Sequence, residues 1–128
     1  MSEYNPQHRI DVIGLSMTEI KYVESWPVTI FIAGDLNKAR DICREYCMRV
    51  GLCVTVEPTE YIYTGGAEQG VRVGLINYPR FPKDKKEIEA TAVDLMYELM
   101  YGLHQQSATV QTPSATAWYS RRPKESVA

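Results

Sequence analysis

From Val28 to Ala33 the chain is continuously apolar and rich in β-branched residues (VTIFIA), and Pro27 introduces the run. An uninterrupted apolar stretch of strand length predicts a strand covered on both faces, and it is the candidate central strand. Asp35 follows, a residue whose carboxylate accepts from the free N–H groups of a first helical turn. Leu36, Ala39, Ile42, Cys43, Tyr46, Cys47 and Val50 then recur at helical spacing, with Asn37, Lys38, Arg40, Asp41, Arg44 and Glu45 between them. That pattern predicts an amphipathic helix, stopped by Gly51 in the left-handed conformation.

Leu52, Val54 and Val56 alternate with Cys53, Thr55 and Glu57, and strand character resumes at residues 60–64 after Pro58. We read a bent or bulged strand at a sheet edge, because proline cannot donate to a ladder. Residues 65–70 (GGAEQG) read as a glycine-flanked loop to a second strand in 71–78, so the two strands form a long hairpin. Residues 77–82 (NYPRFP) cannot be helical, since residues before proline are pushed to extended conformations. Asp84 and Glu87 form a pair like a capping box, and Ile88, Ala92, Leu95, Leu99 and Leu103 mark a long helix to about His104. Val93, Met96, Tyr97, Met100 and Tyr101 widen its apolar surface, so it requires cover on more than one side. Residues 107–112 and 114–120, divided by Pro113, read as one or two final strands; residues 9–22, with Gly14-Leu15-Ser16 as a turn, read as one or two short early ones.

The order β-α-β-β-α-β over about residues 28–120 resembles ferredoxin-like, split βαβ domains. The fold class expected is therefore α+β, with two helices on one face of an antiparallel sheet and extra N-terminal strand or strands. A flexible arm at 1–8, a single domain over 9–122 and a polar tail at 123–128 complete the layout. Such a layout carries no function by itself.

At 128 residues, 45% apolar and 23% charged, the chain has the composition of one globular domain rather than of a disordered segment. A net charge of −2 argues against coating nucleic acid through sheer positive charge. The basic residues are nevertheless clustered. Arg80, Lys83, Lys85 and Lys86 stand against Asp84 alone, and Arg121, Arg122 and Lys124 against Glu125, which leaves an acidic body with a basic end open to an anionic partner. No basic-then-apolar leader and no apolar run of membrane-spanning length is present, and the three cysteines are an odd number, so a cytoplasmic, reducing location is expected.

Candidate chemistry is sparse. The chain has no Gly-x-Ser-x-Gly, no His-Glu-x-x-His and no P-loop, so no catalytic, metal or cofactor assignment is made. Cys43, Cys47 and Cys53 lack paired zinc-type spacing and read as core residues. His104 suits a helix C-terminus as a cation. Glu68 sits where a glycine-rich tip would present an acid to a ligand or a neighbouring subunit. The sharper constellation joins Arg80, Lys83 and the start of the second helix with Tyr78 and Phe81, and adds Trp118, Tyr119, Arg121 and Arg122 from the end of the chain. Guanidinium groups and helix N-termini hold anions while ring faces stack on bases, which suits a nucleotide-like ligand.

The segment Ile30-Phe31-Ile32-Ala33-Gly34-Asp35-Leu36 resembles the first-strand motif of RNA-recognition domains, and that resemblance implies a stacking role for Phe31. The companion third-strand motif is missing, since Arg72-Val73-Gly74-Leu75-Ile76-Asn77 holds no aromatic residue. The chain also resembles small accessory proteins of tailed phages, which implies sequestration of a signalling nucleotide as a function. The residues together lead to a non-enzymatic oligomeric domain that binds a small anionic, nucleotide-like ligand, self-associates, and has no membrane partner. A structural or protein-interaction subunit of an assembly such as a virion, using Tyr97, Met100 and Tyr101, and a single-stranded RNA-binding module are the alternatives; nucleic acid is not favoured.

Overall fold

A computed structural model describes residues 18–123. Five strands and two helices follow one another as β1 (Val28–Ala33), α1 (Leu36–Val50), β2 (Thr55–Tyr63), β3 (Gly66–Leu75), α2 (Lys85–Gly102), β4 (Ser107–Gln111) and β5 (Thr116–Ser120). The strands form one antiparallel sheet in the order β2-β3-β1-β4-β5. The first four are arranged as in a ferredoxin-like split βαβ, and β5 adds a fifth strand at the edge.

β1 is central as its sequence predicts, but the described residues cover it on one face only. Val28, Ile30 and Ile32 are buried while Thr29, Phe31 and Ala33 are half-buried. Both helices lie on the Ile30 face, where Val71, Val73, Leu95, Met96 and Leu99 complete the core. Among the described residues the other face of the sheet carries no helix.

Local chemistry sets the helix bounds. The Asp35 carboxylate accepts from the Lys38 N–H at 2.8 Å, and Gly51, at φ 78°, stops α1 with its N–H donating to Cys47 C=O. Asp84 accepts from the Glu87 N–H at 2.7 Å to open α2. His104, at φ 57°, takes the left-handed position after that helix. The helices are tied together by Tyr46, whose hydroxyl donates to Asp94 at 2.8 Å, and by Arg49, whose Nη2 bonds both Glu98 oxygens.

Three expectations change. The first concerns β2, which has no bulge: its ladder with β3 runs unbroken from Thr55↔Gly74 to Tyr63↔Gly66. Pro58 is accommodated because Gln69 C=O accepts from the N–H of Gly34, just past β1. Residues of the same parity on β3, Val71 among them, therefore aim their backbone groups at β1, and Pro58 opposite Val71 needs no ladder bond. Second, the glycine-flanked loop is mostly strand. The turn is only Thr64-Gly65, and Ala67, Glu68 and Gln69 belong to β3. Third, of the early strands expected in 9–22, residues 9–17 fall outside the described residues, as do the arm at 1–8 and positions 124–128; residues 18–22 form no strand. Among the described residues no helix is long and apolar enough to cross a membrane.

Candidate active site

Register places one row of side chains across the uncovered face, one from each strand: Glu57, Arg72, Phe31, Thr109 and Trp118. The Arg72 guanidinium lies over the Phe31 ring at 5.3 Å, and Trp118 remains 64% exposed. Toward the Ala33 end of β1 this row borders a cavity of about 260 Å³. Phe31, Tyr61, Glu68, Trp118 and Arg122 face it, with Gln105, Ser107 and Thr109 supplying further polar groups.

Tyr61 and Glu68 are directly paired across the β2–β3 ladder. The tyrosine is held rigidly. Its hydroxyl donates to Val71 C=O at 2.6 Å, and its ring lies over Gly70, where an added Cβ would come 2.5 Å from Tyr61 Cε2 and also strike the Ile32 and Ala33 backbone. Burial raises the Tyr61 pKa above its ordinary value, so the phenol stays neutral beside the carboxylate.

The sequence-predicted residues divide between two ends of the molecule. Glu68, Trp118 and Arg122 line this cavity, while Tyr78, Phe81 and Lys83 line another of about 400 Å³ with Gly51, Leu52, Cys53 and Ile76. From Glu68 to Leu75 the strand covers about 23 Å at the usual rise, so the two groups do not converge. Arg80 belongs to the second group through its guanidinium, 6.0 Å from the Phe81 ring. Tyr119 points to the helix side, opposite Ala108, with its ring edge-on to Tyr97 at 6.0 Å. Arg121 is engaged by the fold: its Nη2 donates to Gln105 C=O at 2.8 Å and lies 3.5 Å from Met100 C=O.

Tyr61, Gln105, Ser107 and Thr109 escaped the sequence reading. For Tyr61 a signal existed, because a two-residue turn at Thr64-Gly65 with strict alternation pairs position 61 with position 68. Among the described residues no cluster of three or more His, Cys, Asp or Glu is placed to hold a metal ion. Cys43 is buried and its thiol is pushed up to about 12 by that burial, so it stays protonated.

No protein-family model and no curated protein sequence matches the chain. Two solved structures share its fold. A phage SAM lyase in complex with S-methyl-5′-thioadenosine superposes with a TM-score of 0.64 at 15% identity, covering 82% of this chain and 96% of that one. A phage SAM lyase in its apo state gives a TM-score of 0.67 at 15% identity, with 84% and 100% covered. These neighbours overturn the expectation of a non-enzymatic binding domain, with its structural and RNA-binding alternatives, since the proteins sharing the fold are enzymes. The phage origin of the neighbours accords with the resemblance to phage proteins, and the ligand bound by one of them is small and nucleoside-like. Phe31 does lie on the open face as the RNA-recognition resemblance implies, but its ring is occupied by Arg72.

Proposed function

We propose that this chain is a lyase for S-adenosylmethionine, or a close sulfonium relative, that releases S-methyl-5′-thioadenosine from the cavity around Glu68. The observation that carries the reading is the Glu68 carboxylate, paired with the rigid Tyr61 and sharing its cavity with the exposed Trp118 ring. A sulfonium substrate is cationic, and cations are drawn to carboxylates and to aromatic faces. The cavity at the other end is lined by Lys83 and by no carboxylate, so it offers a sulfonium no countercharge.

The chemistry asks little of acid or base groups. Forming methylthioadenosine breaks the bond between sulfur and the γ-carbon of the aminobutyrate arm, and the electron pair stays on sulfur as a neutral thioether. The substrate's own α-carboxylate supplies the new bond to that carbon and closes a five-membered lactone, with no water and no proton transferred. Both reacting charges vanish along the way, so a site that excludes water favours the step. Holding carboxylate and carbon in contact is the remaining task, and well-oriented intramolecular attack is worth about 7–11 kcal/mol of barrier. Glu68 holds the α-ammonium and bends the arm, the Trp118 face takes the adenine, and Ser107 and Thr109 take ribose hydroxyls. Tyr61 buttresses Glu68.

At about 260 Å³ the cavity is smaller than most small-molecule sites. Self-association over the uncovered sheet face would enclose the substrate, bury Trp118 and complete the site. Light scattering in solution checks this, with an assembly expected and weakened by Trp118→Glu.

Incubation of the chain with S-adenosylmethionine, followed by chromatography for methylthioadenosine, tests the proposal. Product formation is expected, with kcat/KM lowered about tenfold to a hundredfold in Glu68→Gln through loss of a charge-assisted bond. Trp118→Ala raises KM with a smaller effect on kcat. Absence of product from a folded chain refutes the reading.

A further inference from the structure

We infer that the cavity at the opposite end of the sheet, between the start of β2 and the Tyr78–Lys83 connector, is a second ligand site, for a small aromatic anion. This inference stands independently of the lyase reading.

The cavity, about 400 Å³, lies within the range of small-molecule sites and exceeds the one around Glu68. Its walls are apolar: Leu52, Ile76, Tyr78 and Phe81. Ile76 remains 48% exposed and Phe81 55% exposed, so a flat apolar ligand seated between them removes both from water. The Tyr78 and Phe81 rings stand 6.3 Å apart and tilted by 53°, so they are not stacked on one another. Among the described residues nothing lies within 4 Å of the position a Cβ would take at Gly51, on the cavity's lining.

Charge selects the ligand's sign. Lys83 is the one ionised group on the lining, and among the described residues its only carboxylate within ion-pair range is Glu87, at 3.5 Å. The Arg80 guanidinium over Phe81 adds a second cation at the lip. Tyr78 carries no opposing charge: hydrogen bonding to Cys53, whose Sγ lies 3.3 Å from its hydroxyl, and burial both raise its pKa. An aromatic ring bearing one carboxylate or sulfonate matches this arrangement.

The site is also preformed. Buried Asn77 donates from Nδ2 to Glu24 C=O at 3.0 Å and accepts from the Lys83 N–H at 2.9 Å, while the Phe81 N–H donates to Tyr78 C=O at 3.0 Å. The backbone that carries Phe81 and Lys83 is held in place before any ligand arrives, which reduces the ordering penalty of binding.

Fluorescence titration of the full chain with 8-anilinonaphthalene-1-sulfonate tests the inference, with near-UV circular dichroism recorded to show that each variant retains fixed tertiary packing. Saturable one-to-one binding is expected, weakened at least about fivefold in Phe81→Ala and in Lys83→Gln and unchanged in Trp118→Ala. Saturating dye is also expected to slow alkylation of Cys53 by iodoacetamide, read from the mass of its peptide. Equal binding in wild type, Phe81→Ala and Lys83→Gln overturns the inference. So does loss of binding in Trp118→Ala alone, undiminished alkylation of Cys53, or a signal that tracks protein concentration as docking of a second copy would.

Discussion

Tyr61 stands opposite Glu68 in the third pair out from the Thr64-Gly65 turn, with its ring laid over Gly70 two pairs further along β3. A side chain at position 70 would occupy the same space as that ring and would meet the backbone of β1. Gly70→Ala therefore overpacks the sheet, at a cost of about 1–3 kcal/mol. Thermal denaturation is expected to show a lower Tm, and lyase turnover is expected to fall with it because Tyr61 is displaced from Glu68. An unchanged Tm would mean that Tyr61 does not rest on the glycine.

Adjacent arginines have separable roles. Arg121 bonds the carbonyls of Met100, in the last turn of α2, and of Gln105 just beyond it, whereas Arg122 faces the cavity. Arg121→Ala is expected to destabilise the chain by about 1–3 kcal/mol, since it removes a charged donor from those carbonyls, with KM nearly unchanged. Arg122→Ala should reverse the pattern, with normal urea denaturation and a raised KM for S-adenosylmethionine.

Both helices begin on an aspartate carboxylate that accepts from the backbone N–H three residues on. Asp35→Ala and Asp84→Ala should each lose about 1 kcal/mol in denaturant titrations, and the corresponding asparagine variants much less. Equal losses for alanine and asparagine would point to the charge rather than to the capping bond.

Alkali should unfold the chain earlier than its composition suggests. Cys43 is pushed from an ordinary value near 9 to about 12 by burial, and Tyr46 is raised as well by burial and by its bond to Asp94. Folded-state values above the unfolded ones mean that the native state retains protons that the unfolded chain has released. The stability from Cys43 is thus complete below about pH 9 and lost as pH rises toward 12. Denaturant midpoints measured from pH 8 to 11 should decline, and Cys43→Ala should decline less steeply; parallel slopes would exclude the thiol as a cause.

Much of the chain's local structure is legible one residue at a time. The apolar run Val28–Ala33 is a strand, Asp35 and Gly51 bound one helix, and Asp84 opens the other. Capping bonds and left-handed stops involve residues only a few positions apart, so pattern and residue type suffice to place them. The two-sided cover expected for β1 failed for a different reason. An apolar run reports that a strand is central, but whether a layer lies on its second face depends on elements elsewhere in the chain.

Sequence alone therefore determined the elements, their order and the α+β class, because those follow from periodicity and short-range hydrogen bonding. Tertiary structure decided which side chains share a site. Pairings such as Val28 with Leu75 and Phe31 with Thr109 join distant positions, and they carried Trp118 and Arg122 to the Glu68 end and left Tyr78, Phe81 and Lys83 at the other. Strand register, a non-local property set by the packing of one face against the helices, separated residues that composition alone had grouped.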